Sequence, residues 1–228
     1  MSKNKLRIDW ATHESAKYAC ENWHYSKCMP IGKLVKIGAW ENNEFKGVII
    51  YGRGTSPQLG CKYNLEQTQC VELVRVALTN HKFCVSRMIS ISLKFLKRLN
   101  PNLRLIVSFA SQNEGHHGGI YQAGNWVYSG LTSYQDEFFF KGKRATDRVL
   151  SEYVKNMRVG RRELEKQGII YRLPTKPKHR YLMPLDEEIK QRILPLSKPY
   201  PKRTKSGDDG DHPYSDGATP IRTLQAVA

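Results

Sequence analysis

The sequence predicts a mixed α/β domain followed by a strongly basic extension, and three observations carry that reading. Between about Asp9 and Lys141, β-rich apolar runs alternate with stretches of helical periodicity. The segments "CVELVRVAL", "VSRMISISLKFLKRLN" and "LRLIVSFAS" form a strand, a long amphipathic helix and a second strand, the order of a right-handed βαβ unit. From Lys141 to Lys205 the chain carries 19 basic and 7 acidic side chains, roughly three-quarters of the net charge of +16.

The elements follow in order. "THESAKYACENWHYS" begins with Thr12, suited to cap a helix, and Ala16, Ala19, Cys20 and Trp23 recur at helical spacing. This helix runs into His24, Tyr25 and Ser26, and Pro30 and Gly32 mark the loop beyond. "LVKIGAWE" and "FKGVIIYGR" flank Asn42, Asn43 and Glu44, which predicts an antiparallel hairpin. After a loop through Ser56, Pro57 and Gly60, "CVELVRVAL" holds Glu72 and Arg75, whose spacing of three places them on opposite faces of a regular strand. The stretch "TNHKFC" is a loop leading into a helix with Val85, Met88, Ile89, Ser92, Leu93, Leu96 and Leu99 on one side. "LRLIVSFAS" is apolar enough for a central parallel strand, "GIYQAGN" supplies a short helix, and "WVYSG" and "EFFFKG" supply two more strands.

These elements divide the chain into a folded domain over residues 1–140, a basic and partly helical extension over 141–202, and a tail over 203–228. The tail is rich in Pro, Gly, Ser and Asp and too poor in apolar side chains to offset its ordering entropy, so it is expected to be disordered. A basic surplus of this size points to a polyanionic partner, nucleic acid first. No apolar run reaches the roughly 18 to 20 residues of a membrane span, and "MSKNKLRIDW" lacks the apolar core of a signal peptide. A soluble, intracellular protein is expected. The five cysteines contain no C-x-x-C pair and are expected to be reduced and mostly buried.

Chemistry concentrates in "SFASQNEGHHGGIYQAGNWVYSG", residues 108–130, at the C-terminal end of the central strand. Open α/β sheets place ligands there, and Gly115, Gly118 and Gly119 let the backbone approach a bound group. The helix start at Val85, Ser86 and Arg87 offers unpaired amides and side-chain donors to an anion, or else Ser86 is simply a helix cap. Tyr153, Tyr171, Tyr181 and Tyr200, interleaved among the basic residues, suit phosphate contacts with some stacking.

The element order resembles the GNAT N-acetyltransferase fold, a mixed central sheet flanked by helices, and "GIYQAGNWVYSG" resembles its last helix, where a tyrosine sits near the acyl-CoA sulfur. The ordered motifs "WHYSK", "PIGKL", "GAWE", "GVIIYGRG", "ELVRVAL", "VSR" and "SFAS…GHHGGIYQAGNW" are similar to the phage Mom family of DNA-modification proteins. The resemblance implies an enzyme, phage-encoded and acting in the cytoplasm of a bacterial host. It would convert adenine in double-stranded DNA to its N6-carbamoylmethyl form, with acetyl-CoA as acyl source and iron as a further cofactor. It assigns catalytic positions to His24, Tyr25, Ser111, Glu114 and Tyr121. Cofactor contacts fall to Arg75, Val85, Ser86 and Arg87, and metal ligation to His24, Glu114 and His116. Tyr121 would protonate a thiolate leaving group. DNA contacts fall to Lys141, Lys143, Arg144, Arg161 and Arg162, and Trp40 or Trp126 could hold a flipped base. The family pattern has an aspartate where this chain has Ser111, so that role would pass to Glu114 or Asn113, or the activity is impaired. An ordinary GNAT acetyltransferase acting on a protein or small amine, and a nonenzymatic DNA-binding protein on this fold, are the other two readings the sequence allows.

Overall fold

A computed structural model of the chain describes residues 5–203 apart from 55, 57, 141, 142 and 146; of the expected disordered tail, residues 204–228 lie outside the described residues. The chain begins with a strand the periodicity did not single out, β1 (Leu6–Trp10), which pairs antiparallel with β2 (Leu34–Glu41). Between them lies α1 (His13–Trp23), whose N-cap Thr12 accepts the Ser15 N–H at 3.1 Å. The predicted hairpin forms between β2 and β3 (Glu44–Gly52), turning on Asn42 and Asn43 with φ of 52° and 69°. Asparagine tolerates that left-handed backbone, and such turns match the twist of the strands they join.

The βαβ unit is present as β4 (Cys70–Leu78), α2 (Val85–Leu99) and β5 (Leu105–Ser111). A short helix α3 (Gly119–Gln122) and strands β6 (Val127–Leu131) and β7 (Gln135–Phe140) follow. Then come β8 (Lys143–Ala145), α4 (Asp147–Met157), α5 (Arg161–Lys166), β9 (Ile170–Thr175), β10 (Lys178–Pro184) and α6 (Glu187–Ile193). The main sheet has seven strands in the order β1-β2-β3-β4-β5-β10-β6, and β8-β7-β9 form a second sheet. Mixed strand directions and flanking helices are as the sequence predicts.

The boundary expected at residue 140 does not describe how the sheet is assembled. β10, from the basic extension, inserts between β5 and β6, and its Tyr181 and Leu182 are fully buried. Alternation of Lys178, Arg180 and Leu182 with His179, Tyr181 and Met183 is ordinary strand patterning, but nothing local says which edge it joins. The intervening residues form a lobe of their own, in which Leu150, Leu164 and Ile170 are buried against Phe138 and Phe140.

A second correction concerns Glu72 and Arg75. Opposite residues in paired strands share a face. Gly52 pairs with Glu72 and Tyr51 with Leu73, but Ile50 pairs with Arg75, leaving Val74 as the extra residue of a β-bulge. The bulge resets the alternation, so Glu72 and Arg75 lie on the same face, the one covered by α1 and α6. On that face β5 and β10 add Ser111 opposite Lys178, and Phe109 opposite Arg180. The other face packs Tyr51, Leu73, Ala110 and Tyr181 against Met88, Ile89, Leu93 and Leu96 of α2. Leu99, expected on that helix side, is 55% exposed.

Parallel pairing between β4 and β5 runs from Cys70–Leu105 to Leu73–Ser108 and stops, although both strands continue. The strands therefore part, leaving an opening between the two faces of the sheet. The loop that leads into α2 beside this opening is held by Glu41. Its carboxylate is 4% exposed and accepts the Lys82 and Phe83 N–H groups at 2.8–2.9 Å. Charge-assisted bonds of this kind are among the stronger ones. Glu41→Ala is expected to lower stability by about 3 kcal/mol, since two donors lose their partner. Urea unfolding measures this; a midpoint equal to wild type would show that the loop holds without the carboxylate.

Candidate active site

On the α1 side of the opening, the helix ends at Trp23 and His24 leaves it in extended backbone. The His24 ring is 8% exposed. Burial, with Arg75, His116 and Lys27 as further causes, depresses its pKa to about 3. The ring is therefore neutral at any ordinary pH. Its Nδ1 accepts the Ser26 N–H at 3.1 Å and lies 2.8 Å from Ser26 Oγ, which leaves the ring proton on Nε2. His24 thus presents an N–H donor. The resemblance assigned it a base or metal-ligand role, and either needs a bare nitrogen, but the bare one is already occupied by Ser26.

The Tyr25 ring lies 4.1 Å from His24 and 5.5 Å from His116 between centroids. Arg75 reaches Cys28 Sγ at 3.7 Å, while its Nε is buried without a hydrogen-bond partner. Glu72 comes so close to Gly54 that a Cβ there would sit 2.5 Å from its Oε2. Desolvation raises the Glu72 pKa to about 7, against opposing pulls from Lys178 and Arg75. The sign of the linkage follows. A folded pKa above the unfolded value means that stability is full below about pH 4.5 and is lost as pH rises through 7. Relative to wild type, Glu72→Gln should therefore gain on the order of 2 kcal/mol between pH 5 and pH 8. Parallel denaturation curves at the two pH values check this; a constant difference would place Glu72 in water.

On the α2 side, Tyr121 is buried at the vertex where pairing stops. Ser108 Oγ lies 2.9 Å from the Leu73 carbonyl and 2.7 Å from the Tyr121 hydroxyl. Ser108 has one proton, so when it donates to Leu73 the tyrosine donates to Ser108. Burial raises the Tyr121 pKa and keeps the hydroxyl protonated. Tyr121 and the His24–Arg75 group are thus brought to one opening from opposite faces.

The remaining expected residues are placed as follows. Ser111 ends β5 on the Glu72 face, and its carbonyl accepts the His116 N–H at 3.0 Å, closing a turn over Gln112–Glu114 and Gly115. Glu114 lies on that turn. The N-cap of α2 is Cys84, which makes no side-chain cap bond, so Val85, Ser86 and Arg87 form the first turn and Ser86 is not a cap. Arg87 lies 5.3 Å from the Phe83 ring. Ser86 lines a cavity of about 560 Å³ with Ser90, Lys94, Arg98 and Trp126. Trp126 is 1% exposed and packs on Tyr121, while Trp40 lies under the Arg7 guanidinium at 4.0 Å, so neither tryptophan presents a free face to a base.

Among the described residues no three His, Cys, Asp or Glu side chains come together to hold a metal. With the His24 lone pair engaged as well, the donor set does not fit the expected iron, and no step is routed through it. Of the DNA contacts expected, Lys141 lies outside the described residues, and Lys143 and Arg144 belong to β8. Arg161 is bonded to Ser151 and Arg162 is exposed. Of the four tyrosines expected to stack, Tyr181 is buried in the sheet, Tyr153 packs on Phe140 and Tyr171 already stacks on Phe139, while Tyr200 is partly exposed with its hydroxyl donating to the Trp126 carbonyl. Cys28, Cys61 and Cys84 are exposed, so most of the cysteines are not buried, and all five are free. No helix among the described residues is long and apolar enough to cross a membrane.

Residues 5–202 match the Mom protein family. The chain belongs to that family. A Mom relative, the methylcarbamoylase mom of Escherichia phage Mu, is 27% identical over 139 residues, 59% of this chain and 57% of that protein. The chain thus matches just over half of the relative's length. A solved structure from Acinetobacter baylyi that carries the name acetyltransferase aligns over 82% of this chain and 95% of its own, at TM-score 0.44 and 10% identity. For this Mom-family chain the sequence reading missed Glu41, Ser108 and Lys178. A serine inside the apolar run "LIVSFAS" was the one available signal for Ser108.

Proposed function

We propose that this chain transfers a carbamoylmethyl group to the exocyclic amino group of adenine in double-stranded DNA, drawing on acyl-CoA, in the bacterial cytoplasm during phage infection. Such a modification would shield the DNA from restriction. Membership of the Mom family supports the reading. The observation that carries it is the opening between β4 and β5, with Tyr121 and Ser108 on one side and His24, Arg75 and Glu72 on the other.

In the acyl-transfer step, a thioester entering from the α2 face would bring its carbonyl carbon to the opening, where an amine on the α1 face would bond to it as CoA leaves as the thiol; a carbamoylmethyl product takes, besides, an amide-nitrogen donor and a two-electron oxidant as co-reactants. The bulge at Val74 frees main-chain groups there to orient the acyl oxygen. Tyr121, kept protonated by burial, can donate its proton to the departing sulfur when Ser108 turns its own proton from the Leu73 carbonyl to the Tyr121 oxygen. The first turn of α2 offers its amides to the cofactor phosphates. The adjoining cavity, with Ser86, Ser90, Lys94 and Arg98 and no acidic lining, suits the nucleotide end. A net charge of +16 supplies attraction to DNA, and reaction at the amino group requires the adenine to leave the stack.

The test is mass spectrometry of nucleosides from plasmid DNA in cells expressing the wild-type chain or Tyr121→Phe. A carbamoylmethyl-sized increase on deoxyadenosine, lost in the variant, is the expected result. Unmodified DNA in the presence of folded wild-type protein would overturn it, and an acetyl-sized increase would replace the carbamoylmethyl product by a simpler one.

A further inference from the structure

A second cavity, of about 520 Å³, opens between β6, β10, the turn Cys61–Tyr63 and the segment after α6. Lys62, Arg180 and Lys198 line it together with Tyr63, Ser129 and Leu196, and no acidic side chain does. None of these three cations makes an ion pair among the described residues. Like charges gathered around one space repel, weakly where Lys62 and Lys198 are exposed to water, and an anion entering the cavity would turn that repulsion into attraction.

The site is built by the fold. Pairing of β6 with β10 shifts register between Leu131–His179 and Tyr128–Tyr181, which puts Ser129 and Gly130 in an irregular stretch. Ser129 Oγ is buried there without a close hydrogen-bond partner, and the Tyr63 hydroxyl, which interacts with both Ser129 and Arg180, stands beside it. A buried hydroxyl without a partner costs free energy, and a ligand oxygen would satisfy it. Gly130, at φ +93°, lets the Lys198 side chain lie directly over the strand; a Cβ would meet its Cδ, Cε and Nζ at 3.0–3.2 Å. The Lys198 N–H is anchored to the Tyr128 carbonyl at 2.8 Å, which fixes the lysine beside the cavity. Arg180 contributes a planar fork that matches phosphate oxygens, and the lysines contribute point charges. Arg180 also lies two residues along β10 from Lys178, on the same face, so basic groups lead from the opening near Glu72 to this cavity.

We propose that this cavity binds a phosphate group, carried either by a DNA strand or by a small phosphorylated ligand. The site does not depend on the modification chemistry; only its supply by DNA rests on the function proposed above. The test compares the full wild-type chain with Arg180→Gln/Lys198→Gln, with Ser129→Val, and with the charge-matched control Lys5→Gln/Lys33→Gln at exposed positions.

In one arm, inorganic pyrophosphate is titrated by calorimetry with saturating coenzyme A present to fill the cofactor site, and the Arg180/Lys198 variant should bind at least tenfold more weakly, with the control unchanged. In the other arm, duplex DNA binding is measured at several salt concentrations, and the slope of log K against log salt should shrink by about 2 in that variant if the phosphate is DNA's. Loss of pyrophosphate binding with an unchanged slope would assign the site to a small ligand, and a reduced slope alone would assign it to DNA; both uphold the phosphate site. Ser129→Val removes only the buried hydroxyl and decides the matter if the double variant fails to fold, with a severalfold weaker pyrophosphate titration expected. Equal affinities and equal slopes across all four proteins overturn the proposal. DNA bound with a reduced slope yet never modified would instead count against the proposed function and leave the phosphate site standing.

Discussion

Replacing His24 with alanine is expected to lower DNA modification by about 10²- to 10³-fold, the effect of losing one preorganised donor at a reacting centre. The size follows from what the ring can and cannot do. Its pKa of about 3 keeps it neutral, and the Ser26 N–H on Nδ1 leaves Nε2 as the donor. The wild-type and His24→Gln pH–rate profiles should therefore share one shape, because His24 does not titrate in this range and a limb near 7 belongs to Glu72. His24→Gln, which keeps an N–H donor, should recover part of the activity, whereas His24→Asp should not. Rates measured on DNA from pH 5.5 to 8.5 check all three. A His24→Ala variant with a third or more of wild-type activity would remove the ring from the reaction.

Gly118→Ala is expected to destabilise the fold by about 4 kcal/mol and to lower Tm by roughly 10 °C. Gly118 has φ +86°, and a Cβ there would fall 2.3 Å from the Tyr181 ring. Tyr181 cannot retreat. Its hydroxyl is bonded to the His117 carbonyl and to Gln122, and its ring packs on Tyr121 and Tyr128 with centroids 5.1 and 5.2 Å away. Gly115→Ala is the control, since its φ is also positive at +70° but nothing lies within 4 Å. There only the backbone preference is lost, about 1 kcal/mol. Thermal unfolding of both variants separates the steric part from the conformational part. Equal losses would mean that Tyr181 has room to move, and with it the Tyr121 vertex.

The active-site reading was legible where chemistry is local. "WHYSK" put His24, Tyr25 and Ser26 at a helix end, and the folded chain keeps them there. "GHHGGIY" put glycines and Tyr121 after the central strand, where they are found. What the sequence could not convey was which nitrogen of His24 stays bare, because that depends on a backbone N–H two residues on. Nor could it place Glu72, since a strict alternation separates it from Arg75 and the bulge that reunites them is a property of the pairing with β3.

By itself the sequence determined the elements from α1 to β7, the amphipathic face of α2 and the basic surplus, because each is written in the spacing of neighbouring residues. Tertiary structure alone decided that β10 enters the main sheet between β5 and β6, that β4 and β5 part at Leu73 and Ser108, and that Arg180 and Lys198 meet over Ser129. The reason is physical. Periodicity records which side of an element is apolar, whereas register, bulges and strand order depend on contacts between residues far apart in the chain.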